Sequence, residues 1–149
     1  MCLYSINGEK TADHDIECWK VLLKHRARFY TPFMIVRVPF LARIGLRCFR
    51  AKRSYKQPFM LPCRSYRVGI PYKGCWVVES GYIHLFSSKE NADDSYSILV
   101  KHPEYKRGKP METVIVRCII PAGTKYYEGM EGDLAAKKVR IVETMRKES

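Results

Sequence analysis

Few side chains in this 149-residue sequence have the type and spacing for covalent chemistry. His84 stands between Ile83 and Leu85, and an imidazole there could serve as a general base or ligand contact. Ser87 and Ser88 follow it, and Glu128 and Glu143 come late in the chain. Alternation along a strand would place His84 with Tyr82 and Phe86 on one face, as a half-buried, hydrogen-bonded histidine. His14, His25 and His102 have polar surroundings and are expected at the surface. Two acidic knots, Asp13, Asp15 and Glu17, then Asp93 and Asp94, lack a third ligand at fixed spacing, so no metal is expected. Their carboxylates would instead pair with the basic middle or be solvated. The six cysteines, at 2, 18, 48, 63, 75 and 118, form no CxxC pair and no zinc-type cluster with histidine. They read as buried free thiols of a reducing compartment. Cys2 would become a terminal nucleophile only on removal of Met1. No residue is nominated as catalytic, and no cofactor is expected.

The stronger signal is electrostatic. Residues 18–78 contain 14 Lys and Arg and no Asp or Glu, within a chain of net charge +12. Ordinary surfaces intersperse both signs. Within this stretch, residues 54–74 carry Pro58, Pro62, Gly69, Pro71 and Gly74, and read as a long irregular segment. Such segments are uncommon in compact domains and often functional. Lys52, Arg53, Tyr55, Lys56, Arg64, Tyr66, Arg67 and Lys73, with His84, are the candidate ligand-binding residues. Cations neutralise phosphates there and aromatic faces stack on bases. The alternative is a solvated basic loop with its tyrosines turned inward.

The elements that must position these groups follow from hydrophobic periodicity. Strands are expected at 1–10, ending in the hairpin signal Asn7-Gly8, at 16–23 and 33–38, and at 45–51 within a stretch, 41–53, where Leu41, Ile44 and Cys48 also have helical spacing. A hairpin is expected over 75–86, turning at Ser80-Gly81. A helix over 87–102 opens on a Ser87–Glu90 capping box and carries Ala92, Tyr96, Leu99 and Val100 as its apolar stripe. Residues 114–120 read as a central strand, followed by strands at 124–128 and 136–142. A turn at 129–133 and a frayed tail at 145–149 complete the pattern.

Three stretches together resemble a family of small uncharacterised proteins of Bacteroidota, their phages and mobile elements. They are ADHDIECWKVL at 12–22, GYIHLFSSKENA at 81–92 and VRCIIPAGTKYYEG at 116–129. The likeness covers about half the chain and implies an origin, with a role in phage–host conflict, rather than a reaction. The Arg-rich middle departs from it. A more distant likeness is to ADP-ribosyltransferase-type domains, through His84, Ser87-Ser88 and Glu128 or Glu143. Their serine–threonine–serine strand is missing.

The sequence therefore predicts a single α+β domain of 149 residues, with a mostly antiparallel sheet of six to eight short strands and one principal helix. It predicts a non-enzymatic module binding nucleic acid or a phosphorylated nucleotide through its basic middle. The alternatives are an enzyme acting on NAD and a basic module docking an acidic protein. Without an apolar run of about 20 residues or a signal peptide, no membrane partner and a cytoplasmic location, the bacterial host cytosol, are expected.

Overall fold

The computed structural model describes residues 3–5, 9–32, 37–51, 60–62, 76–78, 82–101, 111–129 and 132–147. The architecture is α+β, mostly antiparallel sheet with two helices among the described residues. In chain order the strands are β1 (Leu3–Ser5), β2 (Lys10–Thr11), β3 (Ile16–His25), β4 (Arg28–Tyr30), β5 (Phe49–Arg50), β6 (Met60–Pro62) and β7 (Trp76–Val78). They continue as β8 (Ile83–Phe86), β9 (Glu112–Ile120), β10 (Lys125–Glu128), β11 (Asp133–Ala136) and β12 (Lys138–Lys147). The helices are α1 (Phe40–Arg43) and α2 (Lys89–Lys101). Among the described residues, no helix is long and apolar enough to cross a membrane.

The principal sheet runs β2-β10-β11-β8-β3-β9-β12-β5, with β4 on β3, and every pairing is antiparallel. β3 and β9 form its spine, paired from Ile16 opposite Ile120 to Lys24 opposite Glu112. Lys137 alone separates β11 from β12, yet β8, β3 and β9 lie between them in the sheet. A flat sheet would hold such strands about 19 Å apart, at about 4.8 Å per neighbour. The sheet therefore curls until these strands meet. Its concave side holds the main core, with Tyr126, Leu134, Leu85, Leu22, Val116 and Ile141 drawn from successive strands. Truncating a fully buried member such as Leu22 or Leu85 costs about 2–5 kcal/mol.

The convex side is covered by α2, whose Ala92, Tyr96 and Leu99 pack on Val21 and Ile115. Val100, expected in that stripe, is exposed. The helix cap falls one residue later than expected. Ser88 is the N-cap, its Oγ accepting the Asn91 amide at 3.2 Å, whereas Ser87 Oγ donates to the Gly132 carbonyl across the neighbouring turn. Recruiting Ser87 to that contact leaves no Ser87–Glu90 capping box.

Several expectations change because strand partners are chosen across the chain. β7 and β8 do not form a hairpin: β7 pairs with β1 and β6 in a separate three-stranded sheet, and β8 pairs with β11 and β3. The turn at Ser80-Gly81 and the signal at Asn7-Gly8 lie outside the described residues. β1 likewise pairs with β7, not with β2. Of residues 45–51 only Phe49–Arg50 is strand, as β5; Gly45 turns the chain at φ +81°, so near β12 that there is no room for a Cβ beside the Ile141 carbonyl. The turn expected at 129–133 does join β10 to the antiparallel β11, with the Gly129 amide bonded to the Asp133 carbonyl at 2.8 Å, whereas the expected frayed tail continues β12 to Lys147, held by β9. Of the strand expected at 33–38, Arg37 bridges Tyr30 and Val38 is buried, while 33–36 lie outside the described residues.

Candidate anion-binding surface

The basic stretch begins inside the sheet. Lys20 points with Cys18 and Leu22 into the concave core and is 8% exposed. One edge of β3 is shared by β8, which meets it at Trp19–Phe86, and by β4, which meets it from Leu23. In the gap between them the Lys20 ammonium donates a 2.8 Å hydrogen bond to the His84 carbonyl. Burial holds the amine down to about 8. Cys18 and Cys118 stand opposite one another beside it, buried and free, and burial pushes the Cys118 thiol up to about 12. These are weakly nucleophilic thiols in a packed interior.

His84 is half-buried, as expected, but not hydrogen-bonded. Neither ring nitrogen has a partner, and burial followed by the Lys20 charge lowers its pKa to about 4. The enzyme-like residues do not converge on it. Glu128 opposes Leu134, whose side chain faces the core, and pairs with Lys10 at 2.9 Å; His84 opposes Ala135, which faces the other way. Glu143 pairs with Arg117 at 2.9 Å on β12, and β3 and β9 intervene between β12 and β8. Among the described residues no cluster of three metal-ligating groups occurs.

Among the described residues, the first acidic knot does not neutralise the basic middle. Asp13 pairs with His14, Asp15 accepts the Ala122 amide at 2.9 Å, and Glu17 reaches Arg117 at 3.3 Å. Glu9 pairs with Lys125 at 3.7 Å. Among the described residues, no lysine or arginine between 18 and 78 is ion-paired with a carboxylate. Even Glu112, opposite Lys24 in the ladder, forms no ion pair with it.

Eight of the fourteen cations fall on described residues. Apart from buried Lys20 and Arg43 of α1, they make two groups. The first occupies the β3–β4 hairpin, with Lys24, Arg26 and Arg28, and Arg37 bridged to Tyr30 beside it. Arg26 takes φ 57° in the two-residue turn, a position where glycine is the usual residue. The second group lies at the β5 edge. Arg50 stands directly opposite Lys138, both turned outward because Phe49 and Val139 fill the next rung toward the core. Exposed Arg140 follows two residues along β12, and exposed Arg47 precedes β5. Like charges directly opposed across a ladder destabilise a sheet. Arg140 is level with Ile119 and Lys24 with Glu112, which sets the two groups about 23 Å apart along β9.

Of the candidate residues read from the sequence, Lys52, Arg53, Tyr55, Lys56, Arg64, Tyr66, Arg67 and Lys73 lie outside the described residues, as do Cys2, Cys63, Cys75 and His102. Lys138 and Arg140 were not among the candidates, since their cations lie beyond the acid-free stretch. Their alternation with Val139 and Ile141 does mark them as outward-facing. No protein family, curated protein or solved structure matches this chain.

Proposed function

We propose that this protein is a non-enzymatic binding module for phosphate-bearing ligands, and that its ligand is nucleic acid. The supporting observation is the Arg50–Lys138 pair: two outward, directly opposed cations flanked by Arg47 and Arg140, with no carboxylate paired to any of them among the described residues. A sheet that tolerates this repulsion gains when an anion occupies the edge. The second cationic group favours a polymer over a mononucleotide. A polyanion offers phosphates along a path of about 23 Å, whereas a mononucleotide reaches one group at most. A single α+β domain of phage or mobile-element origin, acting in the host cytosol, suits this role.

Fluorescence anisotropy of a labelled oligonucleotide tests the reading. Affinity should fall steeply between 50 and 200 mM salt, with a log–log slope of about −3 or steeper. The double variant Arg50→Glu, Lys138→Glu should bind at least about tenfold more weakly and with a shallower slope. Salt-independent binding, or none, rejects the proposal.

A further inference from the structure

Beside the β5 edge, α1 and the turn after it present apolar side chains to solvent. Phe40 is 57% exposed, Ile44 46% and Leu46 72%. Phe40 and Ile44 are four residues apart on one helical turn and share a face. The Leu46 amide bonds back to the Leu41 carbonyl, which folds the turn against that face. Gly45 abuts the Ile141 carbonyl, so exposed Val142 borders the same patch. Contiguous exposed apolar surface of this kind marks an interaction site.

The patch is also charged in a specific way. The Arg43 guanidinium lies 5.0 Å from the Phe40 ring centroid and 5.9 Å from that of buried Phe29. Contact with both rings fixes the cation and supports one side of Phe40, while much of Phe40 stays open. An exposed aromatic face beside a fixed guanidinium, next to an edge of unpaired cations, is the arrangement that takes an unstacked base and its phosphate together. A duplex keeps its base faces stacked and offers none to Phe40. The apolar side chains come from a four-residue turn and its loop, unlike the longer amphipathic helices that lie in a bilayer interface.

We infer that the nucleic acid is taken as a single strand, with a base stacked on Phe40 and adjacent phosphates held by Arg43, Arg47 and Arg50. This inference rests on the anion-binding reading above and specifies its ligand. The test compares a labelled 20-nucleotide oligothymidylate with a mixed-sequence 20-base-pair duplex at equal salt, for wild type, Phe40→Ala, Phe40→Trp and Leu46→Ser. Thermal melting of each variant confirms that it folds. Wild type should prefer the single strand about tenfold or more, Phe40→Ala should lose most of that preference while holding the duplex unchanged, and Phe40→Trp should retain it. Equal affinity for the two forms, or equal weakening of both by Phe40→Ala, overturns this inference and leaves the anion-binding reading standing. Binding of neither form overturns both. Vesicles of phosphatidylglycerol form a separate arm: capture that depends on Phe40 and Leu46, with oligonucleotide binding indifferent to both, overturns the inference in favour of a lipid surface.

Discussion

The Lys20 ammonium donates a 2.8 Å hydrogen bond to the main-chain oxygen of His84, in the gap between β8 and β4 along the β3 edge. A lysine thus serves where a ladder amide would otherwise do so. The arrangement is costly at neutral pH, because the charge is buried without a carboxylate.

That cost should disappear in alkali. The unfolded chain keeps the Lys20 proton up to about 10.5, whereas the folded chain releases it near 8. Between these values the unfolded state binds more protons, so this residue's contribution to stability rises with pH. Urea unfolding of wild type and Lys20→Met at pH 7.5 and 10 should differ in pH dependence by up to about 3 kcal/mol, wild type gaining relative to the variant. The buried thiols and Tyr82 act in the opposite direction but are common to both proteins. Parallel pH profiles would contradict this account.

His84 should make the fold acid-labile. Its folded-state pKa is about 4, against 6.5 unfolded, so the unfolded state takes the proton first as pH falls. Stability is fully present above pH 6.5 and is lost toward pH 4, by about 3 kcal/mol at most. His84→Leu removes two buried nitrogens that lack partners, and should flatten this limb without weakening the protein at pH 7. Urea midpoints at pH 7 and 4.5 decide the matter, and an unchanged acid limb in the variant would count against it.

Function and stability should trade off at the β5 edge. Lys138→Glu places opposite charges across the Arg50 rung, and should raise stability by about 0.2–1 kcal/mol at low salt. The same change should weaken oligonucleotide binding. A variant that loses both stability and binding would show the pair to be structural rather than a ligand contact.

Gly45 is where α1 and its turn are fitted to β12. Its φ of +81° suits no ordinary side chain, and an added Cβ would stand 2.7 Å from the Ile141 carbonyl oxygen. Gly45→Ala should cost about 2 kcal/mol or more in urea unfolding, with the m-value unchanged. It should also disturb the Phe40–Arg43 contact, and with it the single-strand preference. Wild-type stability in this variant would mean that the turn can move away from β12 freely.

Much of the scaffold was legible in local pattern. The apolar run at 114–120 marks β9, the bulky run at 16–23 marks β3, and three of four stripe residues of α2 are buried as their spacing requires. The strand partners were not legible. Trp76–Val78 and Ile83–Phe86 read as one hairpin because a short polar turn lies between them, yet they enter different sheets. Ser87 has the spacing of a cap, but its hydroxyl is taken by the Gly132 carbonyl, a neighbour that only β8–β11 pairing supplies.

The amino-acid order by itself determined the charge imbalance, since counting acids and bases needs no geometry, and it determined the strongly periodic strands, since periods of 2 and 3.6 are local properties of the backbone. Only the tertiary structure decided which cations face one another. Arg50 and Lys138 are far apart in the chain and meet through β-ladder register, a non-local choice made by burying Phe49 and Val139 on the adjacent rung. The exposure of Phe40 beside Arg43 likewise follows from where Gly45 lets the chain turn onto β12, which no neighbouring residue specifies.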